Sequence, residues 1–123
     1  STHSSLVEVV FDAKAVLEFQ SLIRRIPVAD NVVEYAVRMI SKTRPNTTTS
    51  EKIQEFVSWG AGPRASQNLI LAAKTHAVIH GKFSADIEDV QAVSKSVLRH
   101  RIIKNYKAEA EGVTVDAIIE SLY

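Results

Sequence analysis

The run from Pro63 to Gly81 constrains this chain more than any other stretch of it. Proline suits the first position of a helix, where its missing N–H has no intrahelical partner to lose, and glycine is a natural C-terminal stop. Between them Ala65, Leu69, Ala72, Ala73, His76 and Ala77 share one face, while Ile70, Leu71, Val78 and Ile79 make the other sides apolar as well. A helix to about His80 that is apolar around most of its circumference has to be surrounded, so the pattern predicts the central helix of a bundle.

The flanking segments read the same way. Asp12 is a good N-cap for a helix from Ala13 to Arg25, with Ala15, Val16, Phe19, Leu22, Ile23 and Ile26 recurring at three and four residues and Pro27 ending the run. Asp30 or Asn31 opens a second helix with Val32, Val33, Ala36, Val37 and Ile40 on one face, which ends before the polar, loop-like Arg44–Thr49. Ser50 caps a short helix containing Ile53, Phe56 and Val57, broken by Trp59–Pro63. Asp86 with Asp89 three residues on resembles a capping box ahead of Ile87, Val90, Val93, Val97 and Leu98, and Thr114 caps a last helix with Val115, Ile118, Ile119 and Leu122. No clear period-two alternation appears. The expected fold is therefore all-α, a small bundle of about five to six helices, with short extended pieces at Ile26–Val28 and Lys82–Ser84, Glu109 and Glu111 in a loop, and residues 1–11 as a linker or tail.

Several function classes are excluded outright. A chain of 123 residues fits one domain with one core, and it contains no G-x-x-x-x-G-K-[ST] phosphate loop. Without cysteine there is no disulfide, thiolate metal site or cysteine nucleophile. No apolar run approaches the ~20 residues that cross a bilayer, and the expectation is a soluble, cytoplasmic chain with no membrane partner. His76 and His80 stand four apart, as in zinc-binding helices, but Ala77-Val78-Ile79 between them supplies no catalytic carboxylate. They read as a packed core-edge histidine and a helix C-terminal group, and no metal is expected. Glu88 and Asp89 read as solvated carboxylates of a first helical turn.

Fifteen Lys and Arg against 14 Asp and Glu leave a net charge of +1, which argues against a dedicated nucleic-acid binder. The charge is unevenly distributed, however. Every charged residue from Gln91 to Lys107 is basic (Lys95, Arg99, Arg101, Lys104, Lys107, with His100 among them), and every one after it is acidic (Glu109, Glu111, Asp116, Glu120). The two segments can steer a partner or neutralise each other. An autonomous helical DNA-binding module using Arg99, Arg101, Lys104 and Lys107, or a helical protein-interaction module, is the alternative reading; only Tyr106 lies close enough to add base stacking.

The segment Trp59-Gly60-Ala61-Gly62-Pro63-Arg64-Ala65-Ser66 is unlike the rest. It puts Arg64 in the first turn of the most apolar helix, where a cation gains nothing from the positive end of the helix dipole. That invites an external anion such as phosphate, held by the guanidinium and free helix N–H groups. A pairing with an acid such as Glu55, or plain solvation, stands beside it.

This segment, with Leu69–Lys74, His80-Gly81-Lys82, Asp86–Val90, the run Val97-Leu98-Arg99-His100-Arg101-Ile102 and Glu109–Val113, resembles the C-terminal lid subdomain of MoxR-family AAA+ ATPases. Arg24–Val28 and Thr43-Arg44-Pro45 match the family's style as well. The resemblance covers residues 12–123 and implies a helical lid packed on an α/β nucleotide-binding core in a ring oligomer, a hexamer. It implies that Arg64 is the sensor 2 arginine of the family's G-A-[SG]-P-R motif, a catalytic group reaching the nucleotide phosphates, with Gly62, Pro63 and Ala65 shaping the nucleotide-binding turn. Arg99, His100 and Arg101 become candidate contacts to the core or a neighbouring subunit. By the same resemblance the full-length protein is an ATPase using ATP and Mg2+, whose chaperone-like remodelling acts on partners with von Willebrand factor A domains. The Walker motifs, sensor 1 and arginine finger belong to the preceding core, so this chain alone is expected neither to hydrolyse ATP nor to hold it.

Overall fold

A computed structural model describes residues 2–123, with side chains from Asp12 onward. Seven helices and one two-stranded ribbon follow in the order α1 (Thr2–Arg25), α2 (Asp30–Lys42), α3 (Glu51–Phe56), β1 (Val57–Trp59), α4 (Arg64–Ile79), α5 (Ile87–Leu98), β2 (Ile103–Lys104), α6 (Tyr106–Glu111) and α7 (Val115–Glu120). The all-α expectation holds, with one helix more than the upper count. The expectation of a linker or tail over residues 1–11 lies largely outside the described side chains.

The central position of α4 follows from its sequence. Leu69, Ala73 and Ala77 are fully buried and Ala65 nearly so, and α4 packs against α1, α2 and α5 at once. Small alanines let the neighbouring helices approach closely, and the core continues through Met39 and Ile40 of α2, Ile53 and Phe56 of α3, Val90 and Leu98 of α5, and Ile118 and Ile119 of α7. The local caps are as expected. The Ser50 hydroxyl accepts from Ile53 N–H, Thr114 from Ala117 N–H, and Asp86 and Asp89 close a full capping box on α5.

Several expectations are corrected. The first helix starts at Thr2 rather than Ala13, so Asp12 lies inside it instead of capping it; Thr2–Asp12 holds no proline or glycine to stop propagation. Of its apolar series only Ile23 is buried, while Val16, Phe19 and Leu22 are exposed, because α1 lies on the outside of the bundle against α4. On α2 the inward face is Val32, Ala36, Met39 and Ile40, leaving Val33 and Val37 exposed. Val57 belongs to β1, which pairs antiparallel with β2 (Val57 opposite Lys104, Trp59 opposite Ile103) across a register irregularity. Glu109 and Glu111 sit in α6, begun by Asn105, whose side chain accepts from Ala108 N–H, and ended by Gly112 in the left-handed region at φ 71°. The two short extended pieces reduce to one parallel bridge between Val28 and Ala85.

Candidate functional site

The turn between β1 and α4 is fastened to the end of α2. Thr43, fully buried, donates its hydroxyl to Ile40 C=O (2.6 Å) and accepts from Ala61 N–H (2.9 Å). Its neighbour Arg44 donates from Nε to Ala61 C=O (2.9 Å). Gly60 passes so close to this strand of backbone that a Cβ there would lie 2.3 Å from the Thr43 carbonyl oxygen. A side chain at position 60 and this fastening are sterically incompatible.

From that anchored turn α4 starts at Arg64, directly after Pro63, which takes helical angles (φ −58°, ψ −32°) as the cap. Arg64 is exposed, and among the described residues none of Arg44, Arg64 and Arg101 makes an ion pair. The suggested partner Glu55 is taken by Lys107 at 2.6 Å. The free helix N–H groups are fewer than expected: Ala65 N–H donates to Gly62 C=O (3.0 Å) and Ser66 N–H to Pro63 C=O (3.3 Å). Recognition of an anion at this end therefore falls to the guanidinium groups. An open cleft lined by Gly62, Pro63, Arg64, Ala65 and Arg101 lies beside the turn, and a second one runs along Arg44, Pro45, Trp59 and Gly60. The residues present fit phosphate: a planar donor fork on a rigid start of helix, uncompensated by a nearby acid.

Arg101 reaches this place because the β1–β2 ribbon, extended by Asn105 N–H donating to Phe56 C=O (2.8 Å), lays the segment after α5 alongside the turn. The rest of the basic segment is largely occupied. Arg99 makes two parallel bonds to Asp116 (both 2.9 Å), which hold that carboxyl below the usual carboxylate range; Lys95 pairs with Glu120, and Lys104 with Glu109 at 3.1 Å. The basic and acidic stretches thus neutralise each other, and of the candidate contacts Arg99, His100 and Arg101, only the last two keep side chains outside such pairs among the described residues.

At the far end of α4 lies a second polar cluster. His76 is half-buried and its Nδ1 meets Asp89 at 2.7 Å, while His80 Nδ1 donates to His76 C=O (2.8 Å), as a core-edge histidine and a C-terminal group should. Asp89 is not solvated as expected: its side chain is 1% exposed. Burial pushes its carboxyl upward, but bonds from Lys82 (2.6 Å), Asp86 N–H (2.8 Å) and His76 outweigh that and hold it below its ordinary value. Lys82 is held above its ordinary range by Asp89, Asp86 and Glu88. Among the described residues no group of three or more metal-ligating side chains converges, and no helix is long and apolar enough to cross a membrane.

The AAA lid domain family matches residues 49–122, from the cap of α3 to α7. Chaperone MoxR1 of Mycobacterium tuberculosis is 33% identical over 114 residues, covering 87% of this chain and 30% of that protein. The uncharacterized protein YeaC of Bacillus subtilis is 27% identical over 103 residues, covering 84% of this chain and 30% of its own length. A crystal structure of a Cytophaga hutchinsonii protein named as an ATPase superposes with a TM-score of 0.76 at 32% identity, over 83% of this chain and 31% of that one. The chain belongs to the AAA lid domain family, and its lid is of the MoxR kind. It spans about 30% of the length of the curated relatives it matches.

Proposed function

We propose that this chain is the sensing lid of a MoxR-type AAA+ ATPase, in which Arg64 contacts the phosphates of ATP bound, with Mg2+, to the core of the full-length protein. The observation that carries this is Arg64 on an anchored turn at the start of the central helix, with no acid paired to it among the described residues. Gly62, Pro63 and Ala65 shape the surface on which the phosphate rests, and Arg101 adds a second cation at the edge of the same cleft. A guanidinium that meets the γ-phosphate and loses it on hydrolysis gives the lid a contact that differs between nucleotide states, as a population shift requires. In a ring of subunits, a hexamer by family resemblance, that difference becomes work on partner proteins. Chaperone-like remodelling, with clients that carry von Willebrand factor A domains, is the form suggested by the MoxR resemblance. The protein acts in the cytoplasm.

The test is Arg64→Ala in the full-length protein, read as ATPase turnover and nucleotide affinity. Loss of a preorganised donor to the transferring phosphoryl group costs about 100-fold in turnover. Wild-type hydrolysis and affinity in the variant would refute the assignment.

A further inference from the structure

Arg64 does not orient itself. It follows Ala61 by three residues, and both main-chain polar groups of Ala61 are held from outside the turn: the N–H by Thr43 Oγ1 and the C=O by Arg44 Nε, each at 2.9 Å. Thr43 is fully buried, and its hydroxyl is used in both roles, donating to Ile40 C=O while it accepts from Ala61 N–H. The absent side chain of Gly60 lets the two backbones meet, and Ala61 itself is buried in the core. The main-chain groups of a turn are often satisfied within the turn itself. Here two consecutive side chains reach 17 and 18 residues along the chain to grip the peptide units on both sides of one residue.

We propose that Thr43 and Arg44 are positioning residues for the Arg64 phosphate contact, making the end of α2 and the start of α4 one rigid body that presents the guanidinium. This rests on the reading of Arg64 given above. Neither residue needs to touch the nucleotide. With the grip released, the turn keeps its sequence and Arg64 its charge, but the backbone from which the guanidinium extends is no longer held in one place. Misplacement of about 1 Å at a contact of this kind costs up to about 100-fold in rate.

The experiment uses the full-length protein and four single substitutions, Thr43→Val, Thr43→Ser, Arg44→Lys and Arg64→Ala, together with the Thr43→Val/Arg64→Ala pair. Valine has threonine's shape without the hydroxyl; serine keeps the hydroxyl; lysine keeps the charge of Arg44 without its Nε donor. Thr43→Val and Arg44→Lys are expected to lower kcat about tenfold or more, with KM for ATP changed by less than about threefold, and Thr43→Ser to recover most of the turnover. In the pair, Thr43→Val should add nothing to the loss from Arg64→Ala, because it acts through that residue. Wild-type kcat in both Thr43→Val and Arg44→Lys, or a Thr43→Val loss of the same size with and without Arg64, overturns the proposal while leaving Arg64 in place. Arg44→Lys decides the matter should Thr43→Val fail to fold. Wild-type turnover in Arg64→Ala would instead remove the reading of Arg64 itself.

Discussion

Gly60→Ala is a small change with a computable consequence. The new methyl group would sit 2.3 Å from the Thr43 carbonyl oxygen, 2.5 Å from its carbon and 2.7 Å from the Arg44 Cα. Ordinary contact begins about 1 Å further out, and all three atoms are backbone, so no flexible side-chain end can swing aside. Either α2's end and the β1–α4 turn separate, breaking the Thr43–Ala61 bond, or strain is stored. Overpacking of this kind costs about 1–3 kcal/mol, and immovable neighbours put this case near the upper end. Alanine also restricts the unfolded chain, which offsets about 0.4–1 kcal/mol, leaving a net loss of about 2 kcal/mol. At about 3–5 °C per kcal/mol for a domain of this size, the melting temperature of the 123-residue chain should fall by about 8 °C. Circular dichroism on heating measures it. Gly62→Ala is the control: a methyl group there meets nothing within 4 Å and the φ is not positive, so its melt should stay within about 2 °C of the wild type. A Gly60→Ala melt as close as that would refute the claim that the turn is locked against α2.

Asp89→Asn should lower stability near neutral pH by about 3 kcal/mol, since it leaves Lys82 and His76 short of a buried carboxylate. A carboxyl depressed in the folded state contributes stability above its unfolded value near ~3.9 and loses it as pH falls through the folded one, so the gap between the urea midpoints of the two proteins should narrow steadily as the pH is lowered below ~3.9; a gap undiminished by acid would show that the ionised form is not what matters. The 123-residue chain should show no duplex DNA binding with a salt slope of several phosphates at low ionic strength, because Arg99, Lys104 and Lys107 already have acidic partners and Arg101 alone of the four candidate contacts makes no ion pair among the described residues. A log–log salt slope of several phosphates in a fluorescence titration would restore the nucleic-acid reading.

What could be read from the sequence was mostly local. Ser50, Asp86 and Thr114 cap helices through bonds that span three residues, and composition alone places them. The central helix was visible because alanine, leucine and isoleucine crowd one 16-residue stretch. Burial of α1 was not, since periodicity records that a face is apolar and not whether a neighbour covers it; Val16 and Phe19 remain open. Asp89 looked like any first-turn carboxylate, and only the convergence of Lys82 and His76 from α4 and its following turn gives a reason for its burial. Two-residue β2 is too short to carry a pattern, so the pairing that brings Arg101 to the turn had no sequence signal. The exposed Arg64 stands out through its odd position on the helix dipole, whereas Thr43 and Arg44 carry only a resemblance in the sequence, and their grip on Ala61, 17 and 18 residues away, has no local pattern to announce it.

The continuity of α4 gives the molecule a mechanical property. Its 16 residues make a rod about 24 Å long, fastened at one end, through Ala61, to Thr43 and Arg44 and tied at the other, through His76 and Lys82, to Asp89 of α5. Held at both ends, the rod cannot swing by itself, so the end of α2, the whole of α4 and the start of α5 move as one body. The far end shows Ile79 and Phe83 to the outside, 69% and 89% exposed, so any displacement of the Arg64 end reaches an apolar surface a full helix length away.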